Sequence, residues 1–105
     1  MLTPAELAKL AVQAMEEKKA KEITLMRTTD VTVLADYFVI CTASSTTHVK
    51  SISDAVEYML TEAGEPPRRR EGERYSGWVL IDFGCIVVHV FMEEAREFYD
   101  LERLW

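Results

Sequence analysis

The stretch Gly77-Trp78-Val79-Leu80-Ile81-Asp82-Phe83-Gly84-Cys85-Ile86-Val87-Val88-His89-Val90-Phe91-Met92 leaves a chain little choice of fold. β-Branched and aromatic residues crowd both sides of one glycine, the pattern of two strands joined by a tight turn. A two-residue loop at Phe83-Gly84 is expected, with Trp78 opposite His89, Leu80 opposite Val87 and Asp82 opposite Cys85. Strand side chains alternate with period two, so Val79, Ile81, Ile86, Val88 and Val90 share the other side of the ribbon. One face is then purely branched aliphatic and suits a core. The other combines aromatic, carboxylate and imidazole groups, as a covered but functional surface does.

The rest of the chain reads as support for this hairpin. Thr3, Pro4 and Glu6 form a capping box with proline at the first helical position, and Leu2 and Leu7 fit a hydrophobic staple. Leu7, Leu10, Ala11, Ala14 and Met15 continue at helical spacing, which predicts a helix over 4–20. Residues 22–27 alternate loosely as a first strand. A polar connection containing Thr28, Thr29 and Asp30 follows. Tyr37 to Ala43 is apolar on both faces, the mark of a central strand. A second helix is expected over 46–63, with Val49, Ile52, Val56, Met59, Leu60 and Ala63 as its stripe and Gly64 as its stop. Arg68–Arg70 reads as a short edge strand. Glu93, Glu94, Ala95 and Arg96 open a third helix, with Phe98, Leu101, Leu104 and Trp105 on its apolar side. A hairpin cannot belong to an all-parallel sheet, so the expected fold class is α/β, with a mixed β-sheet flanked by helices.

Size and charge narrow the function. At 105 residues with 49% hydrophobic content, the chain suits a single domain with a proper core. Neither a membrane span nor a leader pattern is visible, and a cytoplasmic protein is the expectation. The formal net charge is −6, with 18 acidic against 12 basic side chains, which disfavours a general nucleic-acid binder and suits a basic protein partner.

Candidate chemistry is sparse. Cys41 and Cys85 sit far apart in apolar runs and read as small hydrophobes rather than metal ligands. His48 follows Ser44, Ser45, Thr46 and Thr47, where a serine–histidine pair is conceivable but helix capping explains the hydroxyls. The acid-x-acid pairs Glu71/Glu73 and Asp100/Glu102 lack the rigid convergence a two-metal site needs, and four scattered glycines make no phosphate loop. No cofactor or metal is expected. Arg68-Arg69-Arg70, with Arg74 and Tyr75, could touch RNA phosphates or form a solvated edge neutralised by Glu65, Glu71 and Glu73. What remains is a surface: Trp78, Leu80, Asp82, His89 and Phe91 combine aromatic anchors with groups that fix register on a partner. A covering third helix is an equal alternative.

Asp36-Tyr37-Phe38-Val39-Ile40-Cys41-Thr42-Ala43-Ser44-Ser45, with His48-Val49 and Ile52-Ser53-Asp54, resembles the first signature block of the Iojap-like ribosomal silencing factors of bacterial type. Gly77 to Gly84, Val87 to Phe91, then Arg96, Tyr99, Leu101-Glu102 and Leu104-Trp105 resemble the second. Cys85 stands where the family usually has an aspartate, removing a charge beside the proposed face, and Ala43 stands where glycine is common. The resemblance implies one domain over 1–105, similar to a nucleotidyltransferase core without its catalytic residues. It implies a non-enzymatic factor that binds the large ribosomal subunit through ribosomal protein fourteen. Bound there, such a factor sterically blocks joining of the small subunit and represses translation under nutrient limitation. Carried over by position, the contact falls on Trp78, Leu80, Asp82, His89, Phe91, Met92 and Glu93; Tyr99 and Trp105 join them, although a structural role explains those two equally. Family members are often dimeric, and the sheet face bearing Trp78 is a candidate for homodimer contact when the protein is free of the ribosome; the sequence leaves the oligomeric state open, and RNA contact is minor. Competing readings are a large-subunit assembly factor that contacts RNA and a nucleotidyltransferase-like enzyme.

Overall fold

The computed structural model describes residues 2–27, 36–72 and 77–93. The polar connection at Thr28–Asp30, Arg74, Tyr75, the expected third helix beyond Glu93, Tyr99 and Trp105 lie outside them. The elements run α1 (Pro4–Glu17), β1 (Lys21–Arg27), β2 (Tyr37–Ala43), α2 (Thr46–Glu62), β3 (Arg69–Glu71), β4 (Trp78–Asp82) and β5 (Ile86–Met92).

The five strands form one mixed sheet in the order β1-β2-β5-β4-β3. β5 is its middle strand, parallel to β2 and antiparallel to β4. Both described helices pack on the face that carries Val39, Cys41, Val79, Ile81, Ile86, Val88 and Val90, all nearly free of solvent. Leu7, Ala8, Ala11, Ala14 and Met15 supply the buried stripe of α1, and Val49, Ile52, Val56 and Leu60 that of α2. Small alanines in α1 let it lie close to α2 and the sheet. Leu10 and Met59, expected in the stripes, are only partly buried, and Ala63 is the exposed C-cap of α2.

The hairpin turn differs from the expectation by one residue. Phe83 N–H donates to the Ile86 carbonyl at 3.0 Å, so the two loop residues are Gly84 and Cys85 rather than Phe83 and Gly84. Gly84 carries φ +90°, which a hairpin with glycine first in the loop requires. The Asp82 carboxylate Oδ1 accepts the Gly84 N–H at 2.8 Å and fixes the turn. Trp78 is consequently opposite Phe91, Leu80 opposite His89 and Asp82 opposite Val87. Each strand moves by one position, so the paired sum changes by two and the division into faces survives. Phe83, released from the turn, is fully buried in the core.

The two helices end alike but at unequal cost. Each closes with a Schellman arrangement: Ala20 N–H donates to the Met15 carbonyl, and Glu65 N–H to the Leu60 carbonyl. The left-handed residue is Gly64 (φ +96°) after α2 but Lys19 (φ +59°) after α1. His48 ties the two helices at this corner: its Nε2–H donates to the Lys18 carbonyl at 2.7 Å, and its Nδ1 accepts the Ser44 N–H at 2.9 Å. One carbonyl left over at the end of α1 is thereby satisfied. A side chain with Cβ is strained at the left-handed position. Lys19→Gly is therefore expected to stabilise the protein by about 0.5–1 kcal/mol, and Gly64→Ala to destabilise it by about 1 kcal/mol. A Cβ at residue 64 would meet nothing within 4 Å, so backbone strain alone drives that loss. Urea unfolding midpoints check both signs.

Candidate functional site

The face of the sheet opposite α1 and α2 is built from lateral rows of side chains. Thr24, Ile40, His89, Leu80 and Glu71 form one row across all five strands. Met26, Phe38, Val87, Asp82 and Arg69 form the next. Thr42, Phe91 and Trp78 form the third. The first two rows depend on a β-bulge in β1, where one extra residue between Lys21 and Thr24 resets the alternation. Glu22 carries φ +50° at that point.

Trp78, His89, Phe91 and Phe38 form a continuous aromatic layer on this face. Trp78 is nearly parallel to Phe91 with centroids 5.3 Å apart, and to His89 at 5.8 Å. His89 and Phe91 stack at 5.9 Å, while Phe38 tilts onto His89 at 5.0 Å. Trp78 also reaches His89 by a diagonal hydrogen bond, its indole Nε1–H donating to the imidazole Nδ1 at 3.1 Å. That bond sets the tautomer: an Nδ1 that accepts leaves the neutral ring's proton on Nε2. The Nε2–H is buried without a hydrogen-bond partner among the described residues.

Among the expected contact residues, the structure separates an accessible group from a buried one. Trp78, Leu80 and Asp82 on β4 are half-buried, whereas His89 and Phe91 are 3% and 1% exposed. The imidazole and the phenyl ring back the indole rather than present themselves. Glu93, directly after β5, is exposed; Met92 lies on the helix side and packs against the core. Phe38, Ile40 and Thr42 share the aromatic face, a fact hidden in the sequence because the parallel pairing of β2 with β5 joins segments far apart in the chain.

β3 brings arginines to the rim. Arg69 lies opposite Asp82, with Nε 4.0 Å from Oδ2, and 3.3 Å from Glu71. Arg70 turns back over α2, bonding Asp54 at 2.8 Å and Glu57 at 2.7 Å. Burial disfavours the charged Asp54 carboxylate, but hydrogen bonds from Lys50 and Arg70 outweigh it and hold the group below its ordinary value. The Arg68 guanidinium lies against Gly84. The basic run thus faces its own carboxylates and turn. Ser44 Oγ stands 3.0 Å from His48 Nδ1, but that lone pair also takes the Ser44 N–H, and Nε2 is anchored on a carbonyl. This geometry clamps two helices together. No group of three His, Cys, Asp or Glu side chains fit to hold a metal ion occurs among the described residues.

Burial pushes the His89 imidazole down from 6.5 to about 4. Protonation would also turn Nδ1 into a donor facing the indole donor. The unfolded chain takes up this proton near pH 6.5, while the folded protein refuses it until about 4. The contribution to stability is therefore complete above the upper value and declines as pH falls toward the lower one, by about 3 kcal/mol. NMR titration is expected to show a neutral Nε2–H imidazole throughout that window, and the His89→Gln variant to lose this part of the pH slope. The burial also means that His89→Ala opens a cavity beneath Trp78 and destabilises the fold.

The profile of the family described as "Ribosomal silencing factor during starvation" (RsfS) matches residues 2–105. A relative in Halalkalibacterium halodurans named ribosomal silencing factor RsfS is 39% identical over 100 residues, covering 95% of this chain and 86% of its own. A crystal structure from Chromobacterium violaceum superposes with a TM-score of 0.95 at 37% identity, over 99% of this chain and 87% of that one. A mouse protein named mitochondrial assembly of ribosomal large subunit protein 1 is 30% identical over 91% of this chain, which spans 43% of the mouse protein. Sequence and fold agree over the same span, and the chain belongs to the RsfS family of ribosomal silencing factors.

Proposed function

We propose that this protein is a cytoplasmic silencing factor that binds the large ribosomal subunit through ribosomal protein fourteen. Occupying that surface sterically blocks joining of the small subunit, and translation falls when nutrients are short. The action is one of occupancy rather than catalysis. Family membership across residues 2–105 carries the reading.

The geometry supports a docking role for the rim of the aromatic face. Trp78, Leu80 and Asp82 lie side by side on β4 at the open end of that face, with exposed Glu71 and Arg69 beside them on β3. An indole held from beneath by His89 and Phe91 is a rigid, low-entropy anchor, the kind of residue that dominates interfaces. Asp82 and Glu71 suit a basic ribosomal protein, with charge setting register and encounter rate. Arg69, 4.0 Å from Asp82, is a local counterion that a cation of the partner must displace or share.

A second reading has one observation in its favour: the name of the mouse relative concerns assembly of the ribosomal large subunit. Cells depleted of this protein separate the two. Silencing predicts normal large subunits but unrestrained translation on nutrient limitation; an assembly role predicts accumulated large-subunit precursors even in rich medium.

The direct test is co-sedimentation with purified large subunits, together with a pull-down of ribosomal protein fourteen. The wild-type protein is expected to bind both and to lower the yield of joined ribosomes. Trp78→Ala is expected to weaken binding by about 2 kcal/mol or more, some thirtyfold, while circular dichroism shows the fold retained. Unchanged binding of a folded Trp78 variant would remove the aromatic rim from the account.

A further inference from the structure

We propose that Gly72 is a positioning residue for the Trp78 anchor: its bare Cα lets the chain leaving β3 lie against the Trp78 peptide and so sets where the indole emerges at the rim. The proposal rests on the docking role of Trp78 and deepens it; its structural half is measurable without the ribosome.

The β3–β4 ladder closes at Glu71 opposite Leu80, and Gly72 is the next residue of the chain. It carries φ +120°, a conformation in which an L side chain is strained. Gly72 is exposed, yet the space on its β4 side is full. A Cβ there would lie 2.5 Å from the Trp78 carbonyl oxygen, 2.8 Å from Val79 Cα and 3.2 Å from Val79 Cγ2. The two shortest of these contacts are to backbone, so no side-chain rotation relieves them. Gly64 and Gly84 differ in this respect. A Cβ at Gly64 meets nothing within 4 Å, and one at Gly84 meets the far end of the Arg68 side chain.

This close approach holds the first residues of β4 from the β3 side. On the other side, Met92 N–H donates to the Gly77 carbonyl at 2.7 Å, and Trp78 pairs with Phe91. The indole Nε1–H reaches His89 Nδ1 at 3.1 Å, near the long end of the range for such a bond. A methyl group at residue 72 must part the two backbones by about 0.5 Å or more to reach ordinary contact. Retreat of β3 is opposed by Arg70, bonded to Asp54 at 2.8 Å and to Glu57 at 2.7 Å on α2. Movement of the Trp78 peptide takes up much of the strain, and a shift of that size carries the indole out of hydrogen-bond range of the imidazole. The anchor then loses the fixed orientation that makes its docking inexpensive in entropy.

The test compares Gly72→Ala with Gly64→Ala, which strains a positive-φ residue at the end of α2 without touching β4. Both are made in the Lys19→Gly background, whose gain offsets part of the lost stability. The Trp78 indole Nε1–H resonance, assigned by its disappearance in Trp78→Ala, is followed by NMR. It is expected to move, and to exchange with solvent about tenfold faster or more, in Gly72→Ala but not in Gly64→Ala. Binding to large subunits is expected to weaken about tenfold for Gly72→Ala and less than about twofold for Gly64→Ala. Added to Trp78→Ala, Gly72→Ala is expected to weaken binding by less than about twofold, because it acts through the indole. An unmoved indole resonance in folded Gly72→Ala overturns the proposal. So does an equal loss of binding with and without the Trp78 ring, or a Gly72→Ala chain that stays unfolded, which would show strain spread beyond the start of β4. Should Trp78→Ala itself leave binding unchanged, the docking reading fails, and the indole resonance still decides whether Gly72 positions the ring.

Discussion

Hydrogen bonding on both sides of β5 fixes where every side chain of the sheet can point. Its parallel ladder to β2 and antiparallel ladder to β4 hold seven consecutive residues in one register. Alternation then sends Ile86, Val88 and Val90 toward the helices and Val87, His89 and Phe91 to the opposite face. A slip of one residue would put the imidazole in the aliphatic core and valines against Trp78. The turn at Gly84-Cys85 and the Asp82 carboxylate that fastens it are what prevent that slip.

His89 marks the cost of building an aromatic face on a central strand. A buried imidazole loses solvation, and its Nε2–H gains no partner among the described residues, a penalty of about 1–3 kcal/mol by comparison with other buried donors. Its Nδ1 recovers part of this by accepting the indole proton, which fixes the Trp78 ring at the rim. The arrangement trades stability for orientation, which suits the docking role proposed for Trp78. The edges of the sheet differ in character. β3 is short and charged, with Arg70 drawn onto Asp54 and Glu57 of α2. β1 is longer and bears an exposed leucine, Leu25.

Local pattern made much of this legible. The Thr3 capping box and Pro4 mark the start of α1, Gly64 marks the end of α2, and the division of the hairpin into an aliphatic and an aromatic face follows from alternation. The turn position is not encoded in the same way. Phe83 and Cys85 flank Gly84 symmetrically, and only the backbone bond from Phe83 to Ile86 shows which one joins the loop. The face partition is the same for either turn, because the choice shifts both strands together. Contacts between distant segments left no local trace: Phe38 on His89, Arg69 opposite Asp82 and Arg70 on α2 all depend on strand order. Burial of His89 and Phe91 was equally hidden, since alternation assigns a face but not its cover. The left-handed Lys19 breaks the glycine rule at a helix end, so the sequence suggested a helix running to residue 20 where α1 stops at Glu17.

The central claim is that the β4 rim of the aromatic face is the part of this fold that meets the ribosome. Cryo-electron microscopy of the protein bound to the large subunit tests it most directly. The account predicts Trp78, Leu80 and Asp82 against ribosomal protein fourteen, with His89 and Phe91 still packed beneath the indole. A complex in which α1 and α2 face the ribosome while the β4 rim points to solvent would contradict it.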